Sequence, residues 1–158
     1  MNRIGFGFDV HKLESGHDFW LGGIKIEHNK GASGHSDADV VIHAICDALL
    51  GAAALGDIGQ HFPDTDARYK NIDSKLLLGE VCSLLKQKNY EIINIDCTLA
   101  LQKPKIAAHI PLMRQTLADV MNIATDRVSV KATTTEWLGF EGREEGVSCY
   151  AVVMTDQK

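Results

Sequence analysis

Asp9 and His11 stand one residue apart, directly after the run Ile4-Gly5-Phe6-Gly7-Phe8. Side chains at i and i+2 of a strand project from the same face, so a carboxylate and an imidazole there can close on one metal ion. A metal where a Gly-rich strand runs out suits phosphate chemistry, because glycines let backbone and substrate approach closely. A third ligand is offered by Gly34-His35-Ser36-Asp37-Ala38-Asp39-Val40-Val41-Ile42-His43, in which His43 falls near the second turn of an expected helix. Two imidazoles and one carboxylate are the protein ligand set that leaves a catalytic zinc one open position. The competing reading of His43 is a helix histidine satisfied within the core.

Anion-binding groups accompany this set. The Ser36-x-x-Asp39 spacing is that of a capping box, so a helix is expected to start near Ser36 and to run through Leu55. His35 and Ser36 would then sit at a helix N-terminus, where free N–H groups and the dipole favour a phosphate. Simple capping by Ser36 with an exposed His35 explains the segment equally well. Asp57-Ile58-Gly59 and Phe62-Pro63-Asp64-Thr65-Asp66 offer carboxylates and turn geometry suited to polyol hydroxyls or to a solvated loop. Thr133, Thr134, Thr135 and Glu136 would end a strand, followed by Phe140 and a glycine-flanked Arg143. Hydroxyls and Arg suit phosphates and Glu136 a hard cation, although a Thr run is also ordinary strand composition. Leu101-Gln102-Lys103-Pro104-Lys105 reads as a strand-to-helix turn on its own.

The elements that must position these groups follow from periodicity. Residues 2 to 10 alternate loosely, and Phe19 to Ile26 carries a Gly22-Gly23 interruption, so these read as strands. Residues 56 to 73 form a long loop with one short helical turn, and loops of that length are often functional. Leu76, Leu77, Val81, Leu84 and Leu85 recur at helical spacing between Ser74 and Lys88. Ile93 to Leu99 alternates as a strand, residues 107 to 122 read helical, and Val128 to Ala132 and Val147 to Met154 are β-rich. The partial alternation of strands and helices favours α+β over a doubly wound fold. The expected architecture is a single domain over residues 1–158, a four-stranded mixed β-sheet with helices packed on one face, plus an N-proximal β-hairpin.

Composition limits the function classes. The 158 residues are one domain's worth, and 45% apolar with 23% charged residues is the profile of a compact, folding chain. A net charge of −5 with scattered Lys and Arg shows no electrostatic footprint for nucleic acid. No apolar stretch suits a membrane span or a signal core, so no membrane association is expected and the location reads as cytoplasmic. Cys46, Cys82, Cys97 and Cys149 are widely spaced within apolar patterns, which favours buried free thiols.

Gly7-Phe8-Asp9-Val10-His11, His35-Ser36-Asp37-x-Asp39, Gly56-Asp57-Ile58-Gly59, Phe62 to Asp66, Pro104-Lys105 and Lys131 to Arg143 together strongly resemble the 2-C-methyl-D-erythritol 2,4-cyclodiphosphate synthases of non-mevalonate isoprenoid biosynthesis. The resemblance spans essentially the whole chain. It implies conversion of 4-diphosphocytidyl-2-C-methyl-D-erythritol 2-phosphate to the cyclic diphosphate with release of CMP. It implies one Zn²⁺ per subunit on Asp9, His11 and His43, and Mg²⁺ or Mn²⁺ on Glu136. His35 and Thr134 would stabilise the transition state, and Ser36 would help hold the attacking phosphate.

Further contacts implied by the resemblance are Val10 beside the metal ligands, and Asp57, Ile58, Gly59, Phe62, Pro63, Asp64, Thr65 and Asp66 on the methylerythritol phosphate. Leu101, Gln102, Lys103, Pro104, Lys105, Ile106 and Ala107, with Thr133, Thr134, Thr135 and Glu136, would contact the cytidine diphosphate. Phe140 and Arg143 complete the implied substrate set. The family pattern is a homotrimer around a central β-lined core with active sites between subunits. Tyr150 stands where some members carry an acid near the trimer axis, which argues against isoprenoid diphosphate binding in a central cavity. The alternatives from the residues are a zinc-dependent phosphohydrolase and a non-catalytic module with structural zinc.

Overall fold

Asn2–Ser15 form one long strand, β1, in the computed structural model, which describes residues 1–158. Gly5, Gly7, Asp9, His11 and Leu13 turn to one face of it, while Ile4, Phe6, Phe8 and Val10 turn to the other. Its antiparallel partner along most of this length is β7 (Gly146–Gln157), in register from Asn2 opposite Asp156 to Lys12 opposite Gly146. The last four residues of β1 also pair with β4 (Lys30–Ser33). With β5 (Tyr90–Ala100) and β6 (Val128–Thr133) the sheet has the order β4-β1-β7-β5-β6, and only β5 and β6 run parallel.

The sheet therefore has five strands, not the expected four. The extra one is β4, whose Lys-Gly-Ala-Ser sequence has neither alternation nor β-branched residues; it is a strand because the edge of β1 opposite β7 has backbone groups left to pair. With its last residues paired to β4, β1 runs on to Ser15, so Asp9 and His11 lie inside it rather than at its end. The expected N-proximal hairpin is present as β2 (Phe19–Leu21) and β3 (Ile24–Ile26), turned at Gly22 and Gly23 with φ of 60° and 80°.

The helices are α1 (Val40–Ala52), the single turn α2 (Ile58–His61), α3 (Ser74–Gln87), α4 (Ile110–Met121) and the single turn α5 (Gly139–Gly142). The first begins four residues after Ser36, because Ala38 is in the left-handed region at φ 58° and Asp39, not Ser36, is the N-cap. Asp39 is fully buried; its carboxylate accepts from the N–H groups of Ile42, Gly22 and Gly23, tying the hairpin turn to the helix. Nearly every residue of α1 is buried, and it lies across β1 and β7.

Gly5 and Gly7 make that crossing possible. A Cβ at Gly5 would fall 1.8 Å from the Ala48 carbonyl oxygen, and one at Gly7 1.9 Å from that of Ala44. The glycines admit a helix backbone, not substrate, which corrects the reading of the Gly-rich run. Core side chains such as Ile45, Leu49, Leu78, Leu99 and Leu117 fill this helical side of the sheet. On the other side no helix covers Ile4, Phe6, Phe8, Val10, Tyr150 and Val152, all exposed, with Phe6 at 62%.

The cysteines are free, three of them buried and Cys82 half-buried. Burial pushes the Cys82 thiol up to about 12, which suppresses the reactive thiolate.

Candidate active site

Because α1 rests on Gly5 and Gly7, its first turn lowers His43 onto the inward face of β1. Asp9 Oδ2 lies 2.9 Å from His11 Nε2 and 3.1 Å from His43 Nδ1. The two ring nitrogens are 3.2 Å apart, and one ligand atom from each residue falls within 4.8 Å of the others. His43 thus reaches the strand and is no isolated core histidine. The outer nitrogen of His11, Nδ1, donates to the Ser33 carbonyl of β4 at 3.1 Å, so Nε2 keeps its lone pair and points at Asp9. Burial disfavours ionised Asp9, yet when the two imidazoles are protonated their hydrogen bonds and charge outweigh it and bring the carboxyl down to about 2. Burial likewise opposes a charged His11, but the Asp9 hydrogen bond and charge outweigh it, raising the imidazole above its ordinary value. Acceptors converging on one point call for a cation. A carboxylate with two imidazoles whose other nitrogens are hydrogen-bonded suits a zinc-type ion.

A cavity of about 490 Å³ opens beside this cluster, lined by His11, His43, His35, Ser36, Ile58, Gly59, Phe62, Pro63 and Asp64. Its walls are held by backbone capping. Asp47, the one acid on the largely apolar α1, accepts from Ile58 N–H at 2.8 Å, and Asp57 caps α2 by accepting from Gln60 N–H at 3.0 Å. His35 Nε2 donates to the Asp66 carbonyl at 3.2 Å, and Asn71 N–H donates to the His35 carbonyl at 2.7 Å. These bonds clamp the His35 segment to the loop after α2. The Asp66 carboxylate itself is spent on Arg68, at 2.7 Å, and Thr65 is exposed outside the cavity lining.

A second cavity, of about 220 Å³, is lined by Leu101, Gln102, Pro104, Lys105, Ile106, Ala107, Thr133 and Thr134 among others. It shares no lining residue with the first. Lys103 is turned away from it, its ammonium 5.4 Å from the ring centroid of Trp137. Glu136 and Trp137 adopt positive φ, 54° and 65°, and the turn is fastened by Trp137 N–H on Gln102 Oε1 at 3.2 Å and Thr135 Oγ1 on Leu138 O at 2.6 Å. Glu136 is exposed beyond that turn, its N–H on Thr134 Oγ1 at 3.3 Å. Val10 and Phe140 line a third, shallower cavity with His11 and Glu145, while Arg143 is paired to Glu145 at 2.9 Å.

Within one chain, the residues of the sequence reading therefore fall into two main groups. His11 and His43 share a cavity with His35, Ser36 and part of the 57–66 loop, whereas the 101–107 segment and the threonines form a separate pocket. Sequence reasoning assigned no role to Ser33, Asp47 or Ser74, whose Oγ stands 2.9 Å from His43 Nε2. Only Asp47 left a trace, as a lone acid within an apolar helix.

Known proteins resemble this chain over nearly its whole length. The 2-C-methyl-D-erythritol 2,4-cyclodiphosphate synthase of Parabacteroides distasonis is 62% identical over 152 residues, covering 96% of this chain and 94% of that protein. The synthase of Bacteroides thetaiotaomicron is 59% identical over 98% of both chains. Among solved structures, a CDP-bound form of 2C-methyl-D-erythritol-2,4-cyclodiphosphate synthase superposes with a TM-score of 0.90 at 37% identity, covering 98% of this chain and 100% of that one. The bifunctional IspDF from Campylobacter jejuni matches with a TM-score of 0.96 at 39% identity, over 100% of this chain, which spans 43% of that longer one. The YgbB family model matches residues 2–156, so this chain belongs to the YgbB family.

Proposed function

We propose that this chain converts 4-diphosphocytidyl-2-C-methyl-D-erythritol 2-phosphate into 2-C-methyl-D-erythritol 2,4-cyclodiphosphate and CMP, in non-mevalonate isoprenoid precursor biosynthesis. Relatives about 60% identical over nearly the full chain carry that activity in their names. The observation that carries the reading is the convergence of Asp9, His11 and His43 at the wall of a cavity that also presents His35 and Ser36.

In this reaction an oxygen of the substrate's 2-phosphate attacks the β-phosphorus, the bond from that phosphorus to the α-phosphate oxygen breaks, and CMP leaves with its electron pair. The nucleophile is already ionised, so the protein has mainly to position phosphates and stabilise charge. Asp9, His11 and His43 are the residues that would hold Zn²⁺, one per subunit; when bound, it supplies Lewis-acid stabilisation of a β-phosphate oxygen. His35 and Ser36 bind the attacking phosphate, and His35 stabilises charge in the transition state. Ile58, Gly59, Phe62, Pro63 and Asp64 enclose the methylerythritol part. Leu101 to Ala107 take the cytidine, Thr134 steadies the diphosphate, and Glu136 is the residue for a second cation, Mg²⁺ or Mn²⁺.

The active form is a homotrimer with sites between subunits. Two features support this: the cytidine and metal cavities share no residue within a chain, and a six-residue apolar face on β1 and β7 is left open to water. The test is ³¹P NMR of the product from purified protein with Zn²⁺ and Mg²⁺. Cyclic diphosphate and equimolar CMP are expected; a linear product carrying ¹⁸O from solvent would replace this reading with a phosphohydrolase.

A further inference from the structure

The metal-facing side of His43 is only half of its environment. Its far nitrogen, Nε2, lies 2.9 Å from Ser74 Oγ and 3.1 Å from Ser36 Oγ. Ser74 is the first residue of α3 and is fully buried. It is held twice by Asp37: Ser74 N–H donates to Asp37 Oδ2 at 2.9 Å, and its hydroxyl donates to Asp37 Oδ1 in a short hydrogen bond. Asp37 is itself oriented by Asp39 N–H on Oδ1 at 3.2 Å and by its own N–H on the Ile72 carbonyl at 3.1 Å.

Proton counting gives this chain of contacts a direction. A carboxylate only accepts, so the single hydroxyl proton of Ser74 goes to Asp37. Ser74 Oγ then has only lone pairs to offer His43, and Nε2 must be the donor. That leaves Nδ1 as the nitrogen with a lone pair, and Nδ1 is the atom 3.1 Å from Asp9 Oδ2. Ser36 Oγ already accepts from Ala38 N–H at 3.2 Å and can share the Nε2 proton, which leaves its own O–H proton unused on the cavity side.

We infer that Asp37 and Ser74 form a positioning relay that locks His43 in the Nε2–H tautomer, presenting Nδ1 to the metal and keeping the Ser36 hydroxyl free to donate to an anion. The relay also joins the start of α3 to the first turn of α1, so the orientation of the ligand is set by two helices rather than by one rotamer. It rests on the metal reading above and goes beyond it, since neither Asp37 nor Ser74 touches the metal or the reacting atoms. Outer hydrogen-bond partners of ligating histidines typically govern metal affinity by ten- to a hundredfold.

The test is Zn²⁺ affinity by competition with a chromophoric chelator, together with the His43 tautomer in long-range ¹H–¹⁵N spectra, for the wild type and Ser74→Ala. The wild type should bind one Zn²⁺ per chain with His43 protonated at Nε2. Ser74→Ala should keep its circular dichroism, weaken Zn²⁺ about ten- to a hundredfold and, without metal, show both His43 tautomers. Zn²⁺ affinity within about twofold of wild type with an unchanged tautomer, whatever happens to thermal stability, would falsify the relay. Failure of the wild type to bind Zn²⁺ would instead overturn the metal reading. Should Ser74→Ala not fold, Asp37→Asn decides the matter: the wrong donor facing the Ser74 N–H should weaken Zn²⁺ and mix the tautomers, and wild-type behaviour would sink the proposal.

Discussion

Nε2 of His11 and Nδ1 of His43 face each other at 3.2 Å, with their ring planes at 62° to one another. Two lone pairs at that separation, with the Asp9 carboxylate at their side, are held together only by a proton or a metal ion. Protons and a metal ion therefore compete for one position. The raised value of His11 means that protons hold on from above the ordinary imidazole range. Zn²⁺ affinity should be full above that value and fall as pH drops through it, as read by chelator competition across the range. Chelation should abolish CMP release and re-addition of Zn²⁺ restore it. The apolar core holds α1 on the sheet without the ion, so the metal-free protein should stay folded, with a lower melting temperature as expected from loss of about 2.7 kcal/mol at a hundredfold excess of metal over its Kd.

Gly7→Ala places a methyl group against the Ala44 carbonyl, where backbone cannot yield cheaply. Denaturant unfolding should show a loss of at least ~2 kcal/mol. Because α1 carries His43, Zn²⁺ affinity should fall with it. Gly51→Ala is the control, its nearest outside atom being the Phe6 carbonyl oxygen at 4.0 Å. It should be neutral or stabilise by up to ~1 kcal/mol through better helix propensity, with Zn²⁺ binding unchanged.

Asp47→Ala removes the acceptor for Ile58 N–H and frees the start of α2. The wall formed by Ile58, Gly59 and Phe62 should loosen, raising KM several-fold while Zn²⁺ affinity stays at the wild-type value. Steady-state kinetics of CMP release and a metal titration on the same preparation separate the two effects. A parallel loss of Zn²⁺ would show that Asp47 supports α1 rather than the loop.

Phe6→Asp introduces a charge into the open apolar face, beside Val152 in the register of β1 and β7. Sedimentation velocity should show the proposed trimer dissociating to monomers that retain their circular dichroism and Zn²⁺ binding. Turnover should fall by at least about a hundredfold, since burying an unpaired carboxylate at an interface costs several kcal/mol. Full activity in the monomer would remove the case for sites between subunits.

Periodicity was a good guide to the long elements. The alternation from Ile93 to Leu99 lies within β5, and the helical spacing from Ser74 to Lys88 matches α3 to within a residue. It failed where local pattern is weak. Lys30–Ser33 became a strand because a neighbour had unpaired backbone to offer, and α1 began at Val40 because Ala38 took a positive φ. The Gly5 and Gly7 pair was visible in the sequence, but its partner, the backbone of a helix some forty residues later, was not.

By its sequence alone the chain determined which atoms are available for chemistry: Asp9 and His11 on one face of a strand, His43 on a helix, and hydroxyls and carboxylates in the loops. Those are consequences of residue type and of the strand and helix periods, which are local. The tertiary structure alone decided that these atoms converge, because two missing side chains let α1 sink onto β1 and bring His43 to Asp9. It alone recruited Ser33, Asp37, Asp47 and Ser74, whose roles come from hydrogen bonds to groups distant in the chain. Such bonds depend on packing, and no spacing in the sequence encodes them.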